Sequence, residues 1–302
     1  MSTKGAQVHR GTVIAISGII LALGLLGVAI LGLRGPRLLG MASSTIRSIL
    51  NVGLAVADSR SVVSDGQFTN IIFLHHSVGQ NLIRQGRVRE QFAEAGYHFW
   101  DHGYNSQGLV RPNGTATGYG YNVPNDNTNP DGLARIFAQP VYRLPINTFS
   151  GLLRHEVIAF KSCFPVSNIT SDEQLETYKA EYLSMRDVMD RHPDRIFIIL
   201  TPPPLNPSQT DVEAAARARA FSNWLTSDEY LRGHPNVFTF DLFDSLAEDG
   251  PTAPDRNMLR EAYRDSTDSH PNAMANEIIG PRFVDFVISA IPAYRALYEG
   301  DG

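Results

Sequence analysis

Short apolar runs separated by polar, Gly- or Pro-rich stretches dominate the chain from residue 70 onward. "NIIFLHH" (70–76), "YHFWDH" (97–102), "EVIAFK" (156–161), "RIFIILT" (195–201) and "NVFTFD" (236–241) are each short, apolar at the centre and followed by polar or Gly/Pro residues. That is the pattern of strands buried on both faces. Between them the apolar residues take helical spacing: 78–95 in two pieces broken near Gly86, 171–191 opened by "SDEQ", 210–226 opened by "TDVE", and 271–298 opened by the proline of "HPNA". Both internal openings have the capping-box form Ser/Thr-x-x-Gln/Glu, which satisfies free N–H groups at a helix start. Alternation of buried strands with helices predicts an α/β fold, a three-layer α/β/α sandwich with about five parallel strands.

Ahead of this region the pattern changes. Between Arg10 and Arg34 lie 23 residues without a charge, "GTVIAISGIILALGLLGVAILGL". At ~1.5 Å per residue such a run crosses a ~30 Å hydrocarbon layer. The h-region of a cleavable signal peptide is only about 7–15 residues long, so an uncleaved anchor over residues 12–33 is the expectation. Basic residues are nearly balanced on its two sides, and the short N-terminal tail favours an extracytoplasmic soluble domain. The expected organisation is therefore a tail and transmembrane anchor at 1–34, a linker at 35–69, and a catalytic domain at 70–298 with an insertion at 103–147. That insertion is rich in Gly, Asn and Pro, and its length is that of a substrate wall or lid.

A net charge of −5 with no long basic run carries no nucleic-acid footprint, and the single cysteine, Cys163, excludes an internal disulfide framework. In parallel sheets of this kind ligands lie beyond the carboxyl ends of the strands. That rule collects the reactive residues at one rim: His75, His76 and Ser77 after the first strand; Asp101 and His102; Lys161, Ser162 and Cys163; Thr201; Asp241; and "RDSTDSHPN" before the last helix. A serine hydroxyl needs a base to take its proton, and the base needs a third group to fix its tautomer. Ser77 early, with Asp268 and His270 late, is an order that fits acyl transfer. Asp265 is a second choice for the orienting carboxylate, and Ser77 read alone is an ordinary helix N-cap.

The blocks "HHSVG" and "DSHPN" resemble those of the SGNH (GDSL-like) hydrolase superfamily, and "HHS", "KSCFP" and "DSHPN" together resemble a divergent bacterial branch of it. The resemblance implies a flavodoxin-like fold, Ser77 as nucleophile, His270 as base and Asp268 as its partner. It implies an oxyanion site made with Gly108, with Gly103 in reserve, and with Ser162 or Asn168 from the third block. His76 and Lys161 are the expected substrate contacts. The chain departs from the family where His75-His76 replace Gly-Asp, where Asp-x-His replaces Asp-x-x-His, and where no asparagine follows "VIAF" at the usual place.

Other chemistries remain open on these residues. His75, His76, Asp101, His102, Asp268 and His270 suit a hydrolytic metal, although no His-Glu-x-x-His motif occurs. "NTNPDG" starts with Asn127 and lacks a closing Glu at Ala138, so it is read as a turn rather than a calcium loop. Cys163 is either the nucleophile of a Cys-His pair or a buried thiol. The expectation is a membrane-anchored serine esterase or deacetylase with no cofactor and no metal, acting on a small-molecule or glycan ester. A non-catalytic glycan- or peptide-binding domain is the alternative. Because neighbouring strand residues point to opposite faces, His76 is expected in the site and His75 beneath it.

Overall fold

A computed structural model describes Gly53, Val62 and residues 64–104, 108–123 and 129–299. The chain divides into Met1–Leu54 and Ala55–Gly302, and the second unit holds everything described below apart from Gly53. The apolar run at 12–33 and most of the 35–69 linker lie outside the described residues, among which no helix is long and apolar enough to cross a membrane.

Six strands form one sheet: β1 (Asn70–His75), β2 (His98–Gly103), β3 (Gly108–Val110), β4 (Val157–Lys161), β5 (Ile196–Leu200) and β6 (Val237–Phe240). Their order is β3-β2-β1-β4-β5-β6. Five strands are parallel, and β3 adds an antiparallel edge to β2. The five parallel strands are those expected, and the edge strand is added to them. It is only three residues long and sits among glycines, too short to show a period.

The helices are α1 (Ser77–Gln85), α2 (Val88–Glu94), α3 (Pro130–Phe137), α4 (Thr148–Leu152), α5 (Asp172–Met189), α6 (Val212–Leu225), α7 (Asp228–Leu231), α8 (Leu242–Leu246) and α9 (Ala273–Glu299). Strand alternation divides the core in two. Ile72, Leu74, Ile158 and Phe160 pack against α3, α4, α5 and α6, whereas Ile71, Phe73, Val157 and Ala159 pack against α1, α2 and α9. Helices therefore cover both faces of the sheet.

Local chemistry sets the helix starts. Ser171 Oγ accepts from the Gln174 N–H at 3.1 Å, as its sequence implies. For α6 the cap is Asp211, accepting from Ala214 N–H at 2.8 Å, one residue beyond the expected Thr210, because a carboxylate also interacts favourably with the positive helix end. For α9 the cap is Asn272, which accepts from Ala275 N–H at 3.0 Å, and Pro271 stands outside the helix. The expected turn at "NTNPDG" is in part α3, with Pro130 at its first position and Asp131 in its first turn.

Helices α1 and α9 approach at glycines. A Cβ on Gly280 would stand 2.5 Å from Gly86 O, and one on Gly86 would stand 2.8 Å from Gly280 Cα. Leu82, Ile83, Ala275, Ile279 and Phe283 fill the surrounding core. This contact brings the helix that begins at Ser77 against the helix that follows His270.

Candidate active site

Ser77 is the first residue of α1, and His76 holds the N-cap position without a side-chain capping bond. The plain capping role read from Ser77 alone is therefore replaced by a different contact. Ser77 Oγ lies 2.7 Å from His270 Nε2, and His270 Nδ1 lies 2.6 Å from Asp268 Oδ2. Asp265 is turned elsewhere, its Oδ1 accepting from Asn272 Nδ2 at 3.3 Å. The edge of Phe164 meets the His270 ring with centroids 5.1 Å apart.

The two-residue spacing of Asp268 and His270 follows from what lies between them. Ser269 is fully buried, its Oγ accepting from Asn206 N–H at 2.9 Å and donating to Gln209 Oε1 at 2.5 Å. Asn206 Nδ2 also donates to Ser266 O and Asp268 O. One residue points into the protein, so its two neighbours present their side chains on the other side. The β5–α6 connection thereby positions the late block, a role with no signal in the sequence beyond the Asn-Pro of "LNPSQ".

The paired histidines separate. His76 is buried, with Nδ1 3.1 Å from Ser77 Oγ and 3.5 Å from Cys163 Sγ, and its ring centroid is 5.8 Å from that of Tyr104. His75 goes under the rim: Nδ1 donates to His76 O at 2.9 Å, and Nε2 stands 2.9 Å from Asp101 Oδ2. Arg89 of α2 closes on the other oxygen of Asp101. His102 lies elsewhere again, where its Nε2 accepts from Tyr121 N–H at 2.7 Å and its ring stacks on Tyr121. It ties the insertion to β2. Among the described residues no group of three or more His, Cys, Asp or Glu side chains is arranged to hold a metal ion.

Lys161 does not reach the rim. It is fully buried, its Nζ donates to Ser162 O at 3.2 Å, and burial pushes its pKa down. The reason is strand alternation: Val157, Ala159 and Lys161 share the face that carries His75. Ser162 is also turned inward, its hydroxyl 3.0 Å from Tyr182 OH. Asn168 Oδ1 accepts from Thr210 Oγ1 at 3.4 Å. Thr201 donates to Asp241, which caps α8, so both are structural. Gly108 has φ +61 and pairs with Gly103, and a Cβ there would stand 2.4 Å from Tyr119 O; the insertion folds back across it too closely for a side chain.

No family profile and no curated protein matches this chain. Among solved structures it resembles the crystal structure of a candidate acylhydrolase from Bacteroides fragilis NCTC 9343, at a TM-score of 0.50 and 11% identity, over 78% of this chain and 95% of that one. At that identity the likeness speaks for the fold, a mostly parallel sheet flanked by helices, and the chemistry has to be argued from this chain's own residues.

Proposed function

We propose that the chain is an SGNH-type serine hydrolase, an esterase or deacetylase acting on a small or carbohydrate-linked ester. The observation that carries this reading is the continuous array Ser77 Oγ to His270 Nε2 to Asp268, at 2.7 and 2.6 Å, beyond the carboxyl end of β1. Element order and the 2-1-3-4-5 order of the parallel strands are those of a flavodoxin-like sheet, in which such a rim is the ligand site. The structural neighbour's own description as a candidate acylhydrolase agrees with it.

In this reading Ser77 Oγ attacks the ester carbon while its proton passes to His270 Nε2. The same proton then leaves with the alcohol. Asp268 holds the ring with Nδ1–H towards its carboxylate, so that Nε2 is the acceptor. The backbone N–H groups of the first turn of α1 lack intrahelical partners, and the Ser77 amide among them stabilises the oxyanion. Water repeats the sequence on the acyl-serine. The chain's 23-residue uncharged run supports a membrane-anchored, extracytoplasmic enzyme.

Full-length protein in detergent is treated with a fluorophosphonate probe and assayed with p-nitrophenyl acetate. Labelling at Ser77 is expected, and Ser77→Ala is expected to abolish labelling and reduce turnover by about 10⁴-fold or more. Wild-type turnover in Ser77→Ala would defeat the proposal, and absence of labelling would favour a binding domain.

A further inference from the structure

Ser77 Oγ faces two imidazoles, with His270 Nε2 at 2.7 Å and His76 Nδ1 at 3.1 Å. A hydroxyl has one hydrogen and two lone pairs, so it donates to one ring nitrogen only. The other nitrogen either donates to it or opposes it lone pair against lone pair. Asp268 decides which. Its carboxylate accepts from His270 Nδ1 at 2.6 Å, which leaves Nε2 of that neutral ring to accept the serine hydrogen. His76 Nδ1 therefore carries a hydrogen directed at Ser77 Oγ. Cys163 Sγ, 3.5 Å from the same nitrogen, offers a second, weaker acceptor on the buried side. The backbone makes this contact available: His76 has the extended conformation of an N-cap, φ −116 and ψ −167, yet its side chain makes no capping bond.

The geometry points to His76 as a second catalytic imidazole, donating from Nδ1 to Ser77 Oγ and stabilising the charge that gathers there. This inference rests on the serine-hydrolase reading. When His270 takes the proton and the Oγ–C bond forms, Oγ passes through its most negative state. In deacylation a water oxygen bonds to the acyl carbon and its proton goes to His270 Nε2. The C–Oγ bond then breaks, and that proton returns to Oγ. His76 exchanges no proton in either half. Hydrogen bonds to ionised acceptors are roughly twice as strong as neutral ones, so this bond tightens as charge develops, which is what lowers a barrier. The role differs from donation by His76 to the insertion or to substrate, because with the ring hydrogen on Nδ1 the Nε2 atom is an acceptor.

Asparagine places an amide N–H near the position of histidine Nδ1, and glutamine near that of Nε2. With the full-length protein in detergent, His76→Asn, His76→Gln, His76→Phe and Ser77→Ala are compared for kcat and KM on p-nitrophenyl acetate. His76→Asn is expected within about 10-fold of wild-type kcat, while Gln and Phe lose about 10²–10³-fold, the range for one lost transition-state donor, with KM nearly unchanged. A Gln variant better than Asn, an Asn variant as impaired as Phe, or full activity in all three overturns the assignment. Wild-type turnover in Ser77→Ala instead sinks the serine reading itself. As a measurement independent of variant folding, ¹⁵N ring signals of the wild-type histidines, assigned for His76 by their response to Cys163→Ala, should show hydrogen on Nδ1. Hydrogen on Nε2 alone overturns the inference.

Discussion

Replacing Gly280 by alanine tests whether the contact between α1 and α9 sets the reacting geometry. The added Cβ would stand 2.5 Å from Gly86 O, 2.6 Å from its Cα and 2.9 Å from its carbonyl carbon. Carbon contacts are comfortable only near 3.5–4.0 Å, so the helices must part by about 1 Å. All three atoms are backbone and cannot rotate away. Overpacking of this kind costs about 1–3 kcal/mol, and Gly280 also precedes Pro281, which restricts its conformation further. Removing a glycine from a helix returns about 1 kcal/mol, leaving a net loss of up to about 2 kcal/mol. For a domain of this size that lowers Tm by up to roughly 8 °C. Ser77 leads α1 and His270 leads into α9, so a displacement of about 1 Å between them should reduce kcat by about 10²-fold. Thermal unfolding and p-nitrophenyl acetate turnover measure the two effects, with exposed Ser289→Ala in the same helix as a control within about 0.5 kcal/mol. A Gly280→Ala protein as stable and as active as the control would refute the argument that this contact determines the site.

Two further outcomes follow from buried polar groups. Ser269→Ala leaves the Asn206 N–H buried without its acceptor and should cost about 1–3 kcal/mol in denaturant unfolding, while the loosened Asp268–His270 segment lowers kcat and leaves KM unchanged; an unaltered kcat would show that this anchor does not position the pair. His102, pushed down to about 3 by burial and by the neighbouring His75, and His155, pushed down to about 3 by burial, stay neutral in the fold. Unfolded histidine binds its proton near pH 6.5, so the unfolded state takes up more protons below that pH and stability falls from 6.5 towards 3, by about 2 kcal/mol per histidine at pH 5. His75, pushed down to about 4 mainly by burial, adds a similar loss. Urea unfolding at pH 7.5 and pH 5 should show the sum, and His155→Phe should remove about a third of the part linked to these three histidines; an unchanged slope in His155→Phe would count against neutral burial.

Much of the scaffold was legible because both of its periods were strong. Short, mostly apolar runs of four to six residues and long capped helices identified the five parallel strands and the main helices between them within a residue or two. The rim rule then gathered Ser77, Asp268 and His270, which the structure does bring together. What escaped the sequence depends on direction rather than order. Lys161 and Ser162 stand at a strand end, but alternation turns them into opposite layers of the core. Edge strand β3 was hidden in a glycine-rich insertion. Helix α3 carried a readable apolar face at Leu133, Ile136 and Phe137, yet its proline and glycine suggested a turn. Ser269, Asn206 and Gln209 are common polar residues whose task exists only once two distant loops meet.

The two hydrogen bonds of the serine–histidine–aspartate array differ in what holds them. His270 to Asp268 closes over two residues of one segment, while His270 to Ser77 closes over 193 residues of chain. If α9 detaches from α1 in a local opening, with the sheet still folded, the first bond can survive and the second cannot. The base would keep its partner and lose its nucleophile. Inactivation would then follow the free energy of that sub-global opening rather than of complete unfolding, and it would precede the main melting transition.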